Sequence, residues 1–476
     1  MSSLYVILLV VIAAALMGVS LFRASLVKTK ADYLVAGRSL PASVLVLTLL
    51  TSWIGAGSLF AGAENAYRNG FAALWQAGGG WLGLLLIYFI APRARKFAQF
   101  TLPDLLEARY NQTARVLGTI AILFAYVGIT SYQFKGGGNV LHLIFPETVT
   151  PELGTYIIAV FVIVSTALAG MSSVAYMDVA IGSLVTVICI ISAPMLFMKA
   201  GGWAGLHAAL PETHFEILGN LTLLRALEFL VPTMLLMLGN QVMYQKFFSA
   251  KSEKDARISV IGWILGTVLL ETLIVAIAVF GSALYPTGEV AKQPYEIIPY
   301  TARHGLPAFM GALLLSAVFA KVISTASNYL FSPATNLVND VFVRYIAPGA
   351  SNKRVLIISR LAVGVLGCWA LYQAIYAPSI LAKMLYAYTI YSAALTPVVL
   401  AAFYSKRVTA WGAVAAIGAG TVVTLGWDVP GVKDVFPQVI AQRDAIFPAL
   451  IAAVAAMIVV SLFTARPSAD QLAKFS

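Results

Sequence analysis

The chain of 476 residues has little charge: Asp, Glu, Lys and Arg make up 11% of it, against 60% hydrophobic residues. That balance excludes an ordinary soluble domain, in which about a quarter of the residues are charged. Cysteine is scarce too. Cys189 and Cys368 both fall inside apolar stretches, where a free Cys acts as a small hydrophobe, so no disulfide framework is implied. The four histidines (His142, His207, His214 and His304) fall near segment ends, and no Cys/His group has metal-ligand spacing. GxxxxGK[ST] and HExxH are both missing, which sets aside a built-in ATP motor and a zinc protease. No enzyme motif remains. A channel would need a symmetric filter or rings of pore-lining groups.

What the chain does have is apolar runs, with a mean hydropathy of +0.87. About thirteen are long enough to cross a bilayer, near 4–22, 42–67, 71–91, 115–144, 153–170, 173–198, 226–247, 258–284, 306–340, 355–376, 380–404, 408–427 and 446–464. Each approaches or exceeds the roughly 20 residues a spanning helix needs. The expected fold is an all-α polytopic membrane protein. A net charge of +11 raises the question of nucleic acid, but the basic residues cluster in alternate loops: Arg23, Lys28, Lys30 and Arg38; Arg93, Arg95 and Lys96; Lys251, Lys254 and Arg257; Lys353 and Arg354; Lys406 and Arg407. This is the positive-inside bias. It predicts a multi-pass protein of the cytoplasmic (inner) membrane, with the N-terminus outside, the C-terminus inside and no nucleic-acid partner. The first run has no basic residues before it and reads as an uncleaved helix.

Two runs are interrupted. The stretch 42–67 is broken at Trp53-Ile54-Gly55-Ala56-Gly57-Ser58, and 227–248 at Leu238-Gly239-Asn240-Gln241. In lipid a helix unwinds only where the freed backbone groups meet protein, water or a ligand. Gly-interrupted spans in matching positions of two halves mark the solute site of a secondary transporter. Each break opens a run of five spans. The expected repeats are therefore 42–198 and 226–404, inverted because five is odd, with 1–41 and 405–476 as additions. The amphipathic segment 101–115 reads as interfacial, and 201–225 and 285–305 as external loops with short covering helices.

Several pieces resemble the sodium:solute symporter family of proline, sugar, choline and monocarboxylate carriers. They are Asp32-Tyr33-Leu34-Val35-Ala36-Gly37-Arg38; 51–58 with Tyr67 and Gly70; Thr101-Leu102-Pro103-Asp104 with Arg109-Tyr110; Ser173-Val174-Ala175-Tyr176-Met177-Asp178-Val179; Gly239-Asn240-Gln241 with Tyr244-Gln245-Lys246; and Ser324-Thr325-Ala326-Ser327. The resemblance implies a LeuT-like five-plus-five core with sodium as coupling ion and no other cofactor. It places the sodium site at Thr51, Ile54, Lys321, Ser324 and Thr325, with Asp178 near the cytoplasmic exit. The competing explanation for the two hydroxyls is bonding to carbonyls one turn earlier. For Asp178 it is a carboxylate favoured by a helix N-terminus.

Lys321 departs from the small residue many members carry there. A lysine at mid-membrane costs roughly 2.5–3.5 kcal/mol or more unless it faces a polar interior. Lys321, Ser324, Thr325 and Asn328 share one helical face. The expectation is that sodium still couples, with Lys321 beside the site and paired to Asp178. The alternative is a proton-coupled or sodium-independent carrier in which Lys321 replaces the ion.

The expected solute contacts lie beside the breaks: Gly57, Ser58, Trp75, Gln76, Tyr132, Gln133, Asn240 and Gln241, with Trp53 and Tyr388 as lids. Glu271, in mid-span, either grips a cationic or hydroxylated solute or pairs with a lysine. Lys135, before Gly136-Gly137-Gly138, is a coupling candidate or a snorkelling lysine on a close-packed face. Glu64 reads as solvated with Arg68. The expected activity is sodium-coupled symport of a small polar organic solute into the cytoplasm. The other class is a membrane sensor that kept a transporter fold.

Overall fold

The computed structural model describes residues 3–26, 29–97, 101–376, 379–468 and 471–472. Lys28 lies outside the described residues. Ten helical stretches are long and apolar enough to cross a membrane, and Leu4–Val19, Ala42–Trp53 and Ala410–Gly426 are shorter apolar helices. Together they cover all the runs expected from the sequence. Helices satisfy every backbone group within one segment, which lipid requires. Lipid-facing and core-facing sides separate cleanly. On Asn352–Ile375, Leu361 and Val365 are 59% and 67% exposed, whereas Ala362, Leu366 and Ala370 are buried.

The core is built around Ala308–Asn336, whose residues from Leu314 to Asn336 are all buried. It packs between Gln112–Ile144 and Pro151–Lys199. The last two meet along the glycine run. A Cβ on Gly138 would lie 2.5 Å from the Thr155 backbone nitrogen, and one on Gly137 would lie 3.0 Å from Ile158. Gly136 to Gly138 are thus a helix-packing face, and Lys135 stands half-buried at its edge. Within Pro151–Lys199 the chain turns a corner at Gly170 (φ 65°, ψ 176°), where the two expected spans divide.

Both breaks are present. The first helix, Ala42–Trp53, stops because Ile54 is extended (ψ 125°), and the chain winds again over Gly57–Gly62 and Ala63–Asn69. A Cβ on Gly55 would lie 2.7–2.8 Å from the Thr325 and Gln133 side chains, so no larger residue fits there. The second, Leu223–Gly239, stops at extended Asn240 (ψ 114°) and resumes as Gln241–Ser249.

The interfacial segment is the short helix Leu102–Arg109, opened by a reciprocal Thr101/Asp104 capping box. Arg115 fastens it to the basic side of the bundle, bonding Asp104 (2.6 Å), Asp340 (2.5 Å) and Glu107. Short helices cover the opposite side, among them Gly202–Ala209 and Ile297–Gly305.

Candidate functional site

Asp178 lies two turns beyond the Gly170 corner and is fully buried. Its Oδ2 accepts from Lys246 Nζ (3.0 Å) and Thr48 Oγ1 (2.5 Å), and its Oδ1 from Ser324 Oγ (2.5 Å). Asn328 Nδ2 lies 3.3 Å from both oxygens. Lys246, on the resumed half of the second broken helix, is equally buried. Its ammonium also donates to the Thr48 carbonyl (2.8 Å), the Thr48 hydroxyl (2.7 Å) and Ser52 Oγ. A buried ion pair persists only with its remaining lone pairs and protons satisfied, as here. This corrects the expected pairing: the lysine that neutralises Asp178 is Lys246, not Lys321.

Lys321 points its ammonium at the Thr51 carbonyl instead. Thr325 Oγ1 stands 2.8 Å from the Ile54 carbonyl, 3.0 Å from its own-helix Lys321 carbonyl and 3.3 Å from the Thr51 carbonyl. A hydroxyl carries one proton, so it donates to one of these oxygens at a time. The break at Ile54 thus brings two carbonyls to a hydroxyl that already faces a carbonyl of its own helix, a hard-oxygen cradle of the kind a small cation needs. Four of the five expected ion-site residues meet there. The hydroxyl of the fifth, Ser324, is turned to Asp178. The Lys321 ammonium donates to one oxygen of that cradle, the Thr51 carbonyl.

The expected solute contacts divide. Around the first break, the hydroxyl of Tyr388 lies 3.0 Å and that of Tyr132 lies 3.5 Å from the point where a Gly57 Cβ would stand. Gln76 Nε2 reaches Met384 Sδ (3.7 Å) beside them, and Ser58 is half-buried in the same segment. Gln133 holds the break itself, its Oε1 accepting the Ala56 N–H at 2.7 Å. Asn240 and Gln241 are pins of the second break. Asn240 caps Val242 N (3.0 Å) and bonds Tyr329 (2.7 Å), while Gln241 reaches Leu102 N (3.2 Å) and Asn336 (2.6 Å). Trp75 sits elsewhere, donating to the Ile217 carbonyl (2.9 Å) at an outer cleft lined by Phe71, Leu82 and Phe215. Glu64 and Arg68 form an i,i+4 ion pair at 3.1 Å.

Glu271 is 6% exposed and accepts one indole N–H on each oxygen, from Trp53 (2.9 Å) and Trp81 (3.0 Å). Trp53 in turn packs on Tyr388, with ring centroids 6.3 Å apart and 30° between planes.

Thr48, Ser52 and Lys246 are the residues sequence reasoning passed over as site residues. A lysine inside the 227–248 apolar run was the available signal, since an intramembrane charge is a functional candidate by default.

A sequence model of the sodium:solute symporter family matches residues 33–420. The chain belongs to that family. It is 27% identical over 465 residues to a sodium/proline symporter of Staphylococcus aureus, covering 92% of this chain and 88% of that one. It is 24% identical over 456 residues to the osmoregulated proline transporter OpuE of Bacillus subtilis, covering 92% and 90%. In fold it matches a Na+-coupled sialic acid symporter in a substrate-bound outward-open state, with a TM-score of 0.82 over 98% of both chains at 18% identity. It also matches Mhp1, a nucleobase-cation-symport-1 family transporter (TM-score 0.58, 12% identity, 93% and 97% covered). The architecture is therefore the LeuT-like transporter fold.

Proposed function

We propose that this member of the sodium:solute symporter family is a secondary active carrier that brings a small polar organic solute into the cytoplasm, with sodium as the coupling ion. The observation that carries the reading is the cradle at the first break, where the Thr51, Ile54 and Lys321 carbonyls surround the Thr325 hydroxyl. The sodium/proline symporters among its relatives favour an amino-acid-like solute. Repeats 42–198 and 226–404 supply the two inverted halves. The protein lies as a multi-pass protein in the inner membrane, basic loops and C-terminus inside, N-terminus outside. The test is uptake into liposomes of purified protein, with and without a sodium gradient. A solute that accumulates only with sodium outside supports the reading. Failure of any solute to accumulate under any ion gradient rejects it, and binding without flux would make the protein a sensor.

One observation favours a second reading of the ion alone. The Lys321 ammonium donates to the Thr51 carbonyl, an oxygen that sodium needs. In that reading Lys321 is the cation of the site and uptake is indifferent to sodium. Comparing sodium dependence in wild type and a Lys321 variant separates the two.

A further inference from the structure

We infer that the solute carries a positive charge, as an ammonium or quaternary ammonium group, and that Glu271 together with the rings of Trp53 and Tyr388 recognises it. The inference rests on the importer reading and adds the chemical class of the cargo.

Among the described residues four acids are buried: Asp178, Glu228, Glu271 and Asp340. Three have a cation within an ion pair. Asp178 has Lys246 at 3.0 Å, Glu228 has Arg225 at 2.7 Å, and Asp340 has Arg115 at 2.5 Å. Glu271 alone has none among the described residues; its partners are two neutral indoles. An uncompensated buried charge is costly, so such a group holds a proton until a cation arrives and is ionised beside that cation. One N–H on each oxygen fixes the carboxylate plane and leaves a second lone pair on each for an incoming donor.

The neighbours suit the same cargo. Trp53 is the residue at which the first helix stops, so its ring hangs at the break, and Gly80 makes room for it: a Cβ there would lie 3.2 Å from the indole. Tyr388 packs on Trp53 on one side and reaches the space over Gly57 on the other. The aromatic pair Trp53 and Tyr388 stands between the break and Glu271's indole partner, and ring faces attract a cation. A solute whose only charge is negative meets repulsion at the same place.

The test uses purified full-length protein and matched probes: L-proline against cyclopentanecarboxylate, and choline against 3,3-dimethylbutan-1-ol, with L-lysine, putrescine, D-glucose and pyruvate alongside. Thermal stabilisation and liposome uptake are both read. We expect stabilisation and uptake by an ammonium-bearing probe and neither by its uncharged-nitrogen-free isostere. Glu271→Gln keeps the shape and should weaken that probe by at least about tenfold, as loss of a buried charge partner requires. The isostere comparison needs no variant, so a misfolded Glu271→Gln leaves the test intact, and Trp81→Phe offers a milder change that frees one oxygen. An isostere that acts as well as its parent overturns the inference, as does the absence of any shift with every ammonium probe. Uptake of glucose or pyruvate alone also overturns it while leaving the importer reading standing. If ammonium probes stabilise the protein but nothing accumulates, the importer reading fails and the cation site survives.

Discussion

Replacing Lys321 by methionine keeps a long apolar side chain and removes the ammonium from the Thr51 carbonyl. A sodium ion in the cradle would share that oxygen with the ammonium. Two unit charges about 4 Å apart repel by roughly 4 kcal/mol at an effective dielectric of 20. That is close to three decades of affinity. On the sodium reading, the ion has to push the ammonium aside before it binds in wild type. Lys321→Met should therefore lower the half-saturating sodium concentration by up to about a thousandfold, while the solute's own affinity at saturating sodium changes little. The assay is initial uptake rate in proteoliposomes against sodium concentration at fixed solute and fixed pH. Wild-type uptake that ignores sodium, with a variant that acquires sodium dependence, moves the assignment to the fixed-cation reading. A sodium response identical in wild type and variant refutes the geometry itself, since both readings place the ammonium at the ion's oxygen.

Asp178→Asn leaves Lys246 buried without its counter-charge and should cost about 3–5 kcal/mol, read as a loss of melting temperature in detergent, with much of it recovered in Asp178→Asn combined with Lys246→Met. Full additivity of the two changes would show that the pair does not exist. Arg115→Met strands Asp340 and Asp104 facing each other at the basic side and should destabilise by a similar amount; a wild-type thermal profile would contradict the latch. Thr325→Val removes the hydroxyl at the centre of the cradle and should raise the half-saturating sodium concentration by about tenfold or more, since one lost ligand is worth about 1–3 kcal/mol. Ser324→Ala should change it far less, because that hydroxyl serves Asp178; equal effects of the two would place both on the ion. The combined Ser324→Ala and Thr325→Ala variant should couple poorly while expressing normally.

Helix positions were readable because lipid enforces them: a run of some 20 apolar residues has few alternatives to a spanning helix. The breaks were readable for the same reason in reverse, since Gly55 and Gly239 sit where a continuous helix is not needed. The meeting of Thr51, Ile54, Lys321 and Thr325 followed from the family motifs together with the shared face of Lys321 and Thr325. Pairing was not readable. Lys246 and Lys321 are both intramembrane lysines, and which of them meets Asp178 depends on how two distant helices cross, which no local spacing encodes. For the expected solute contacts, the sequence did not show which polar groups also hold the fold. Gln133, Asn240 and Gln241 bond the backbone and side chains that hold the breaks, and Trp75 bonds the Ile217 carbonyl.

The carboxylate of Asp178 also ties three helices together. It joins Thr48 on the first broken helix and Lys246 on the second to Ser324 and Asn328 on the central helix. If the two broken helices rock as one body, the bonds from Lys246 to Thr48 and Ser52 ride along, whereas those to Asp178 shear. Water must then reach a dry charge, or the charge must follow the moving body. On that premise either event would add an enthalpic step to each turnover. Uptake should slow more steeply on cooling than solute binding weakens, and the slope of its Arrhenius plot, more than any affinity, should respond when the clasp is loosened.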